Sequence, residues 1–144
     1  MSIEIRRLTP NDAVLLEQVA GGTFDHDIDP RLAAEFLGDP RHHLMAALDG
    51  ALVVGFVSAV HYVHPDKPAE LWINEVGVAP SHQGRGIAKA LLNAMLEHGR
   101  ALGCREAWVL TNRSNEAAMR LYAACGGRDS DPDLAMFSFP LVRS

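Results

Sequence analysis

Polar and apolar residues alternate from the start of the chain. Ile3, Ile5 and Leu8 with polar residues between them predict a first strand. Thr9-Pro10-Asn11-Asp12 is a helix start, with Thr9 as cap and Pro10 in the first turn. Val14, Leu15, Val19 and Ala20 then form a helical stripe that Gly21-Gly22 ends. Asp29-Pro30 opens a second short helix through Leu37, stopped by Gly38-Asp39-Pro40. His43 to Leu48 reads as a strand, Asp49-Gly50 as a two-residue hairpin turn, and Ala51 to Tyr62 as the partner strand. After a turn carrying Pro65 and Pro68, Glu70 to Val78 is the next strand. A strongly helical run covers Ile87 to Leu102, with Gly103 as its stop. Glu106 to Leu110 is predicted as a strand. The next helix is capped within Asn112 to Ser114 and runs to about Ala124, and Leu134 to Leu141 is a last strand. The order β-α-α-β-β-β-α-β-α-β describes a single α+β domain over 1–144.

The most informative stretch lies between the strand ending at Val78 and the long helix. Gln83-Gly84-Arg85-Gly86-Ile87-Ala88 is a glycine-rich turn that opens a helix. Helix N-termini leave backbone N–H groups unpaired, and glycines let that backbone approach a pyrophosphate closely. Arg85 adds a positive charge. A dinucleotide fingerprint needs glycine or alanine where Lys89 stands, and a P-loop needs a Gly-Lys-Ser/Thr that is missing, so the turn points to another kind of pyrophosphate carrier.

Gln83-x-x-Gly86-x-Ala88 resembles the acyl-CoA pyrophosphate motif, Q/R-x-x-G-x-G/A, of the GNAT acetyltransferase superfamily. Asn115-Glu-Ala-Ala118-Met-Arg-Leu121-Tyr122-Ala-Ala-Cys-Gly126 resembles that superfamily's later motif, N-x-x-A-x-x-L-Y-x-x-x-G. The two occur in the expected order. The resemblance implies a mixed sheet with helices on both faces and acetyl-CoA as co-substrate. It implies that the carrier wedges between two diverging strands, here Glu70–Val78 and Glu106–Leu110, with its pantetheine arm on Val76, Gly77 and Val78. Asn115 falls among the carrier-side positions. Tyr122 occupies the place of the hydroxyl that faces the carrier sulfur, and a phenol is acidic enough to protonate a leaving thiolate. The alternative for Tyr122 is a core tyrosine on an amphipathic helix, and for Gly77 a packing glycine.

Glu75 interrupts an apolar strand just before the carrier-binding stretch, which makes it the candidate base or cation holder. Strand alternation puts Glu70 on the opposite face, a parity that any bulge would upset. Pro65 through Val78 also resembles the loop and strand of the aminoglycoside 3-N-acetyltransferase group. Asn74 replaces an aromatic usual there, Glu75 replaces an aspartate, and the short tail lacks that group's acids. Asp25, Asp27, Asp29, Asp129, Asp131 and Asp133 either line a cation site or keep loops soluble. The expected acceptor is therefore a small cationic amine, with a protein or peptide amine as the alternative. The second functional class is a non-catalytic acyl-CoA sensor, which would need neither Tyr122 nor Glu75.

Composition narrows the rest. The formal net charge of −5 argues against bulk nucleic-acid binding and suits a cationic substrate. The apolar runs are too short to span a membrane, and MSIEIRRL lacks a signal peptide's apolar core, so the protein is expected in the cytoplasm. Cys104 and Cys125 read as reduced and structural, the first at a strand start and the second near a helix end. His61 and His64 read as solvated loop histidines rather than metal ligands. No metal is expected, and a homodimer is plausible.

Overall fold

A computed structural model describes residues 2–142. Five strands form one sheet in the order β1-β2-β3-β4-β5: Glu4–Arg7, His42–Asp49, Leu52–Tyr62, Glu70–Val78 and Glu106–Val109. The first four pair antiparallel and β5 joins β4 in parallel. The helices are α1 (Pro30–Gly38), α2 (Ile87–Ala101) and α3 (Glu116–Ala124), with 3-10 turns at Pro10–Glu17 and Pro80–His82.

Both faces of the sheet are covered, as expected. Ile87, Leu91, Leu92 and Met95 recur at helical spacing along α2. They bury against Val57, Ala59, Leu71 and Ile73 of β3 and β4. On the other face, Leu16 of the first 3-10 helix and Leu37 of α1 close over Leu44, Ala46, Val53 and Phe56. Each fully buried aliphatic side chain contributes about 1.5–3 kcal/mol.

Several local expectations change. Thr9 is the N-cap of the first 3-10 helix, as predicted, and its carbonyl accepts from the Asp12 N–H at 2.8 Å. Asp12 Oδ2 in turn accepts from the Thr9 N–H at 2.8 Å and the Thr9 hydroxyl at 3.0 Å, holding the Asp12 carboxyl below its usual range. Asp29 caps α1 as predicted, accepting from the Arg31 and Leu32 N–H groups. The β2–β3 turn is Gly50-Ala51 rather than Asp49-Gly50, because Asp49 still pairs with Leu52 and Gly50 takes φ +62°. Residues 134–141 form no strand. Asp131 closes a turn on the Asp133 N–H, Pro140 lacks a donor, and Met136, Phe137, Phe139 and Leu141 stay exposed without a ladder partner.

His61 is not a loop residue either, since β3 runs on to Tyr62. It joins a chain of imidazoles inside the fold. His98 Nε2 lies 3.0 Å from His43 Nδ1, and His43 Nε2 lies 2.8 Å from His61 Nδ1. His64 instead bonds Glu70. Burial, then the positive charge of neighbouring His98, His61, Arg7 and His42, pulls His43 down to about 4. Burial lowers His98 as well.

A histidine kept neutral when folded makes the unfolded chain the better proton acceptor below pH 6.5. Stability is therefore unaffected by His43 above that pH, falls as pH drops toward 4, and levels off below it. The expected loss is on the order of 2–3 kcal/mol between pH 7 and pH 4. Urea unfolding across that range measures it. A His43→Leu variant should lose most of the slope, and an unchanged slope would show that His43 is not the titrating group.

Candidate functional site

β4 is paired on both sides only through its first half. Glu70 to Ile73 match Glu106 to Val109, and beyond Ile73 the ladder to β5 stops while β4 continues to Val78. The ladder ends where β5 itself ends, at Val109. The β5-facing backbone edge of residues 74–78 has no strand beside it.

A bulge accompanies the split. Glu75 pairs with Ser58 but Ile73 pairs with Ala59, leaving Asn74 as the extra residue. Leu71 and Ile73 face α2, as do Val76 and Val78, so the alternation slips by one residue between them. Glu70 and Glu75 consequently share the face of Tyr62, Ser58 and Phe56, against the strict-alternation expectation. Glu70 is occupied by Arg105 at 3.3 Å and His64 at 3.0 Å. Glu75 is exposed and carries no ion pair among the described residues.

The helix-opening turn follows. Gly84 and Gly86 adopt φ +78° and +77°, a left-handed backbone that strains any L side chain. Gly86 caps α2 without a side-chain partner, and the first intrahelical bond is Ala90 N–H to Gly86 O at 3.1 Å. The Ile87, Ala88 and Lys89 N–H groups thus point out of the helix end. No acid sits in that first turn. A groove of about 340 Å³ lies over it, lined by Val78, His82, Gly86, Lys89, Arg120 and Leu121 among others.

The Gln83 side chain donates to the Val78 carbonyl at 3.1 Å, tying the turn to the end of β4. Asn115 caps α3, its Oδ1 accepting from the Ala118 N–H at 3.1 Å. Gly77 is a packing glycine: a Cβ there would lie 2.5 Å from the Thr23 carbonyl oxygen and 2.7 Å from the Phe56 ring. Tyr122 packs against the α2-side core. Its hydroxyl makes no hydrogen bond among the described residues, and burial raises its pKa.

Glu75 and Tyr122 thus lie on opposite faces of the sheet. Of the acidic loop residues, Asp29 is a helix cap, Asp129 pairs with Arg113, and Asp131 closes a turn. Asp25 and Asp27 are exposed.

Three groups went unnoticed in the sequence. Lys89 and Arg120 bring positive charge to the groove from two helices that only the fold brings together. His82 spans Asp49 Oδ2 at 2.8 Å and Ser81 Oγ at 2.7 Å, fastening the approach to the turn onto the β2–β3 hairpin. Thirty-three residues separate His82 from Asp49, so no local pattern could reveal the pair. Among the described residues no cluster could hold a metal ion, and no helix is long and apolar enough to cross a membrane.

Comparisons with known proteins identify the family and the fold. The acetyltransferase (GNAT) family profile matches residues 12–126, so the chain belongs to that family. It is 30% identical to the N-alpha-acetyltransferase RimI of Mycobacterium tuberculosis over 127 residues, covering 86% of this chain and 77% of that one. It also matches mycothiol acetyltransferases, but spans only 26% and 33% of the length of those from Saccharopolyspora erythraea and Pseudarthrobacter chlorophenolicus. An aminoglycoside acetyltransferase from an uncultured soil metagenomic sample superposes with TM-score 0.79 at 26% identity, over 99% of this chain and 100% of that one. Aminoglycoside N-acetyltransferase AAC(6')-Iy, solved in complex with CoA, shares the fold with TM-score 0.74 at 23% identity, over 98% of this chain and 96% of that one.

Proposed function

We propose that this GNAT-family acetyltransferase moves an acetyl group from acetyl-CoA to a primary amine of a small cationic molecule, within one ternary complex. The observation that carries the reading is the half-paired β4. A strand edge unpaired over 74–78 runs straight into a cationic groove with three outward N–H groups, and that shape suits an extended amide arm ending in a pyrophosphate.

In this reading the pantetheine arm lies along Val76, Gly77 and Val78 and pairs with the Val76 backbone and the Val78 N–H, which face away from β3, while the Val78 carbonyl is held by Gln83. The pyrophosphate takes the N–H groups of Gly84 through Ala88, with charge from Arg85, Lys89 and Arg120. Gln83 and Asn115 act indirectly, the first by fixing the turn to Val78 and the second by capping α3. The amine enters from the Glu75 face and gives its proton to that carboxylate, directly or through a water. Its nitrogen attacks the thioester carbonyl, the new C–N bond forms and the C–S bond breaks. The departing thiolate takes the Tyr122 proton. A phenol whose pKa is raised by burial stays protonated at neutral pH, which suits an acid.

An aminoglycoside acceptor is supported by the superposition at 26% identity and by the exposed carboxylate of Glu75. A protein or peptide N-terminal amine is the second reading, favoured by the similarity to RimI over most of both chains. Release of free CoA with a panel of aminoglycosides, diamines and peptides separates the two.

Gly86→Asp adds a charge and a strained side chain beside the pyrophosphate site, and should weaken CoA binding by at least about tenfold. Calorimetry on folded protein checks it, and equal affinities would remove the turn from the site. Tyr122→Phe keeps the ring and removes the proton. Single-turnover rates should fall about 10²–10⁴-fold with CoA affinity nearly intact, whereas an unchanged rate would reduce Tyr122 to packing. Glu75→Gln should lower kcat most near neutral pH and recover partly as pH approaches the amine's own pKa if Glu75 is the base. A raised KM with intact kcat would make it a cation holder only. A variant matching wild type in both constants would place acceptor recognition elsewhere.

A further inference from the structure

The open half of the Glu75 face carries a feature that acetyl transfer does not itself require. Tyr62, Trp72 and Trp108 lie with their rings parallel to within 15°, at centroid separations of 5.9 Å (Tyr62–Trp72), 4.9 Å (Trp72–Trp108) and 6.3 Å (Tyr62–Trp108). A single column would put the outer pair much farther apart, so the rings overlap like shingles and pave the sheet across β3, β4 and β5. All three are partly exposed. Among the described residues the helices on this face pack mainly elsewhere: α1 on β2 and the first 3-10 helix, and that helix on β3.

The charges around this wall are one-sided. Glu70 is ion-paired with Arg105 and hydrogen-bonded to His64, and Lys67 is paired with its neighbour Asp66. Glu75 at one end of the wall and Glu106 at the other have no ion pair among the described residues. Glu106 pairs with Glu70 as Trp108 pairs with Trp72, so it shares the aromatic face. Three residues of strand separate Trp72 from Glu75, about 10 Å at the usual rise.

Building on the acetyl-transfer reading, we infer that the Tyr62–Trp72–Trp108 wall is the acceptor-recognition surface. It selects a dication: one amine reacts beside Glu75 while a second ammonium, about 10 Å away, rests on the indole faces near Glu106. Indole faces attract cations through the ring quadrupole, and partial desolvation strengthens the contact. The parallel rings also give a flat apolar bed for the carbon body between the two charges.

Trp72 and Trp108 are the chain's only tryptophans, so intrinsic fluorescence reads this surface without reference to turnover. The probes are 1,8-diaminooctane and octylamine, which share a body and differ in the second charge. The expected result is a saturable fluorescence change with the diamine at concentrations where octylamine gives little, and a KM about tenfold lower for the diamine. Trp108→Leu, and independently the exposed Glu106→Gln, should raise KM for the diamine several-fold more than for octylamine. Acetylation of the diamine without a fluorescence response, or equal preference for the two amines, overturns the wall and leaves transfer at Glu75 standing. A fluorescence response without acetylation supports the wall and counts against the transfer reading instead. Silence in both measurements overturns the wall.

Discussion

The molecule turns on the loss of one hydrogen-bond ladder halfway along β4. Over Glu70–Ile73 the strand is held on both sides, and over Asn74–Val78 on one side only. An unpaired strand edge is ordinarily a liability, because each open N–H and C=O invites another chain. Here the edge runs into a helix N-terminus whose own donors are unpaired. A ligand that is extended and amide-bearing at one end and anionic at the other satisfies both sets at once. The bulge at Asn74 belongs to the same event. It keeps β4 on β3 as the strand leaves β5, and it turns Glu75 toward the acceptor face.

Rigidity around this opening comes from ordinary packing. Leu71, Leu91 and Met95 are fully buried between α2 and the sheet, so the helix that carries the turn cannot drift from the strand that feeds it. Gln83 to Val78 and His82 to Asp49 are short polar ties that fix the turn more finely than apolar contacts can. Gly77 extends the same logic to the other face, where the Thr23 carbonyl closes onto β4 with no space for a methyl group.

Features written in neighbouring residues were readable from the sequence. Asp29 with Pro30, the two glycines before Ile87, and the apolar stripe of α2 each encode their geometry within a turn or two. The hairpin was found one residue early, since both Asp-Gly and Gly-Ala suit such a turn and only the cross-strand register decides. Features that depend on pairing were not readable. A bulge has no sequence signature in Ile73-Asn74-Glu75, so the common face of Glu70 and Glu75 emerges only from the register with β3. Asn115 looked like a carrier-side residue because it opens a motif, yet the same position is a helix cap, and both roles favour asparagine. The 134–141 stretch carries an apolar pattern that suits a strand, but a pattern without a ladder partner does not make one.

These constraints divide the labour along a single strand. The second half of β4, with the turn and α2, presents backbone groups, and backbone geometry tolerates side-chain change as long as the glycines and buried aliphatics remain. The first half presents side chains, Glu70 and Trp72, beside Tyr62 and Trp108 on neighbouring strands. In the proposed reading, donor recognition therefore rests on the backbone of the fold, and acceptor recognition on a few partly exposed side chains. Single contacts on an exposed surface are individually weak, a cation over an indole included. In the proposed reading, selectivity on such a surface comes from spacing: an acceptor would satisfy Glu75 and the aromatic wall together, and the pleat of one strand would set the distance between them.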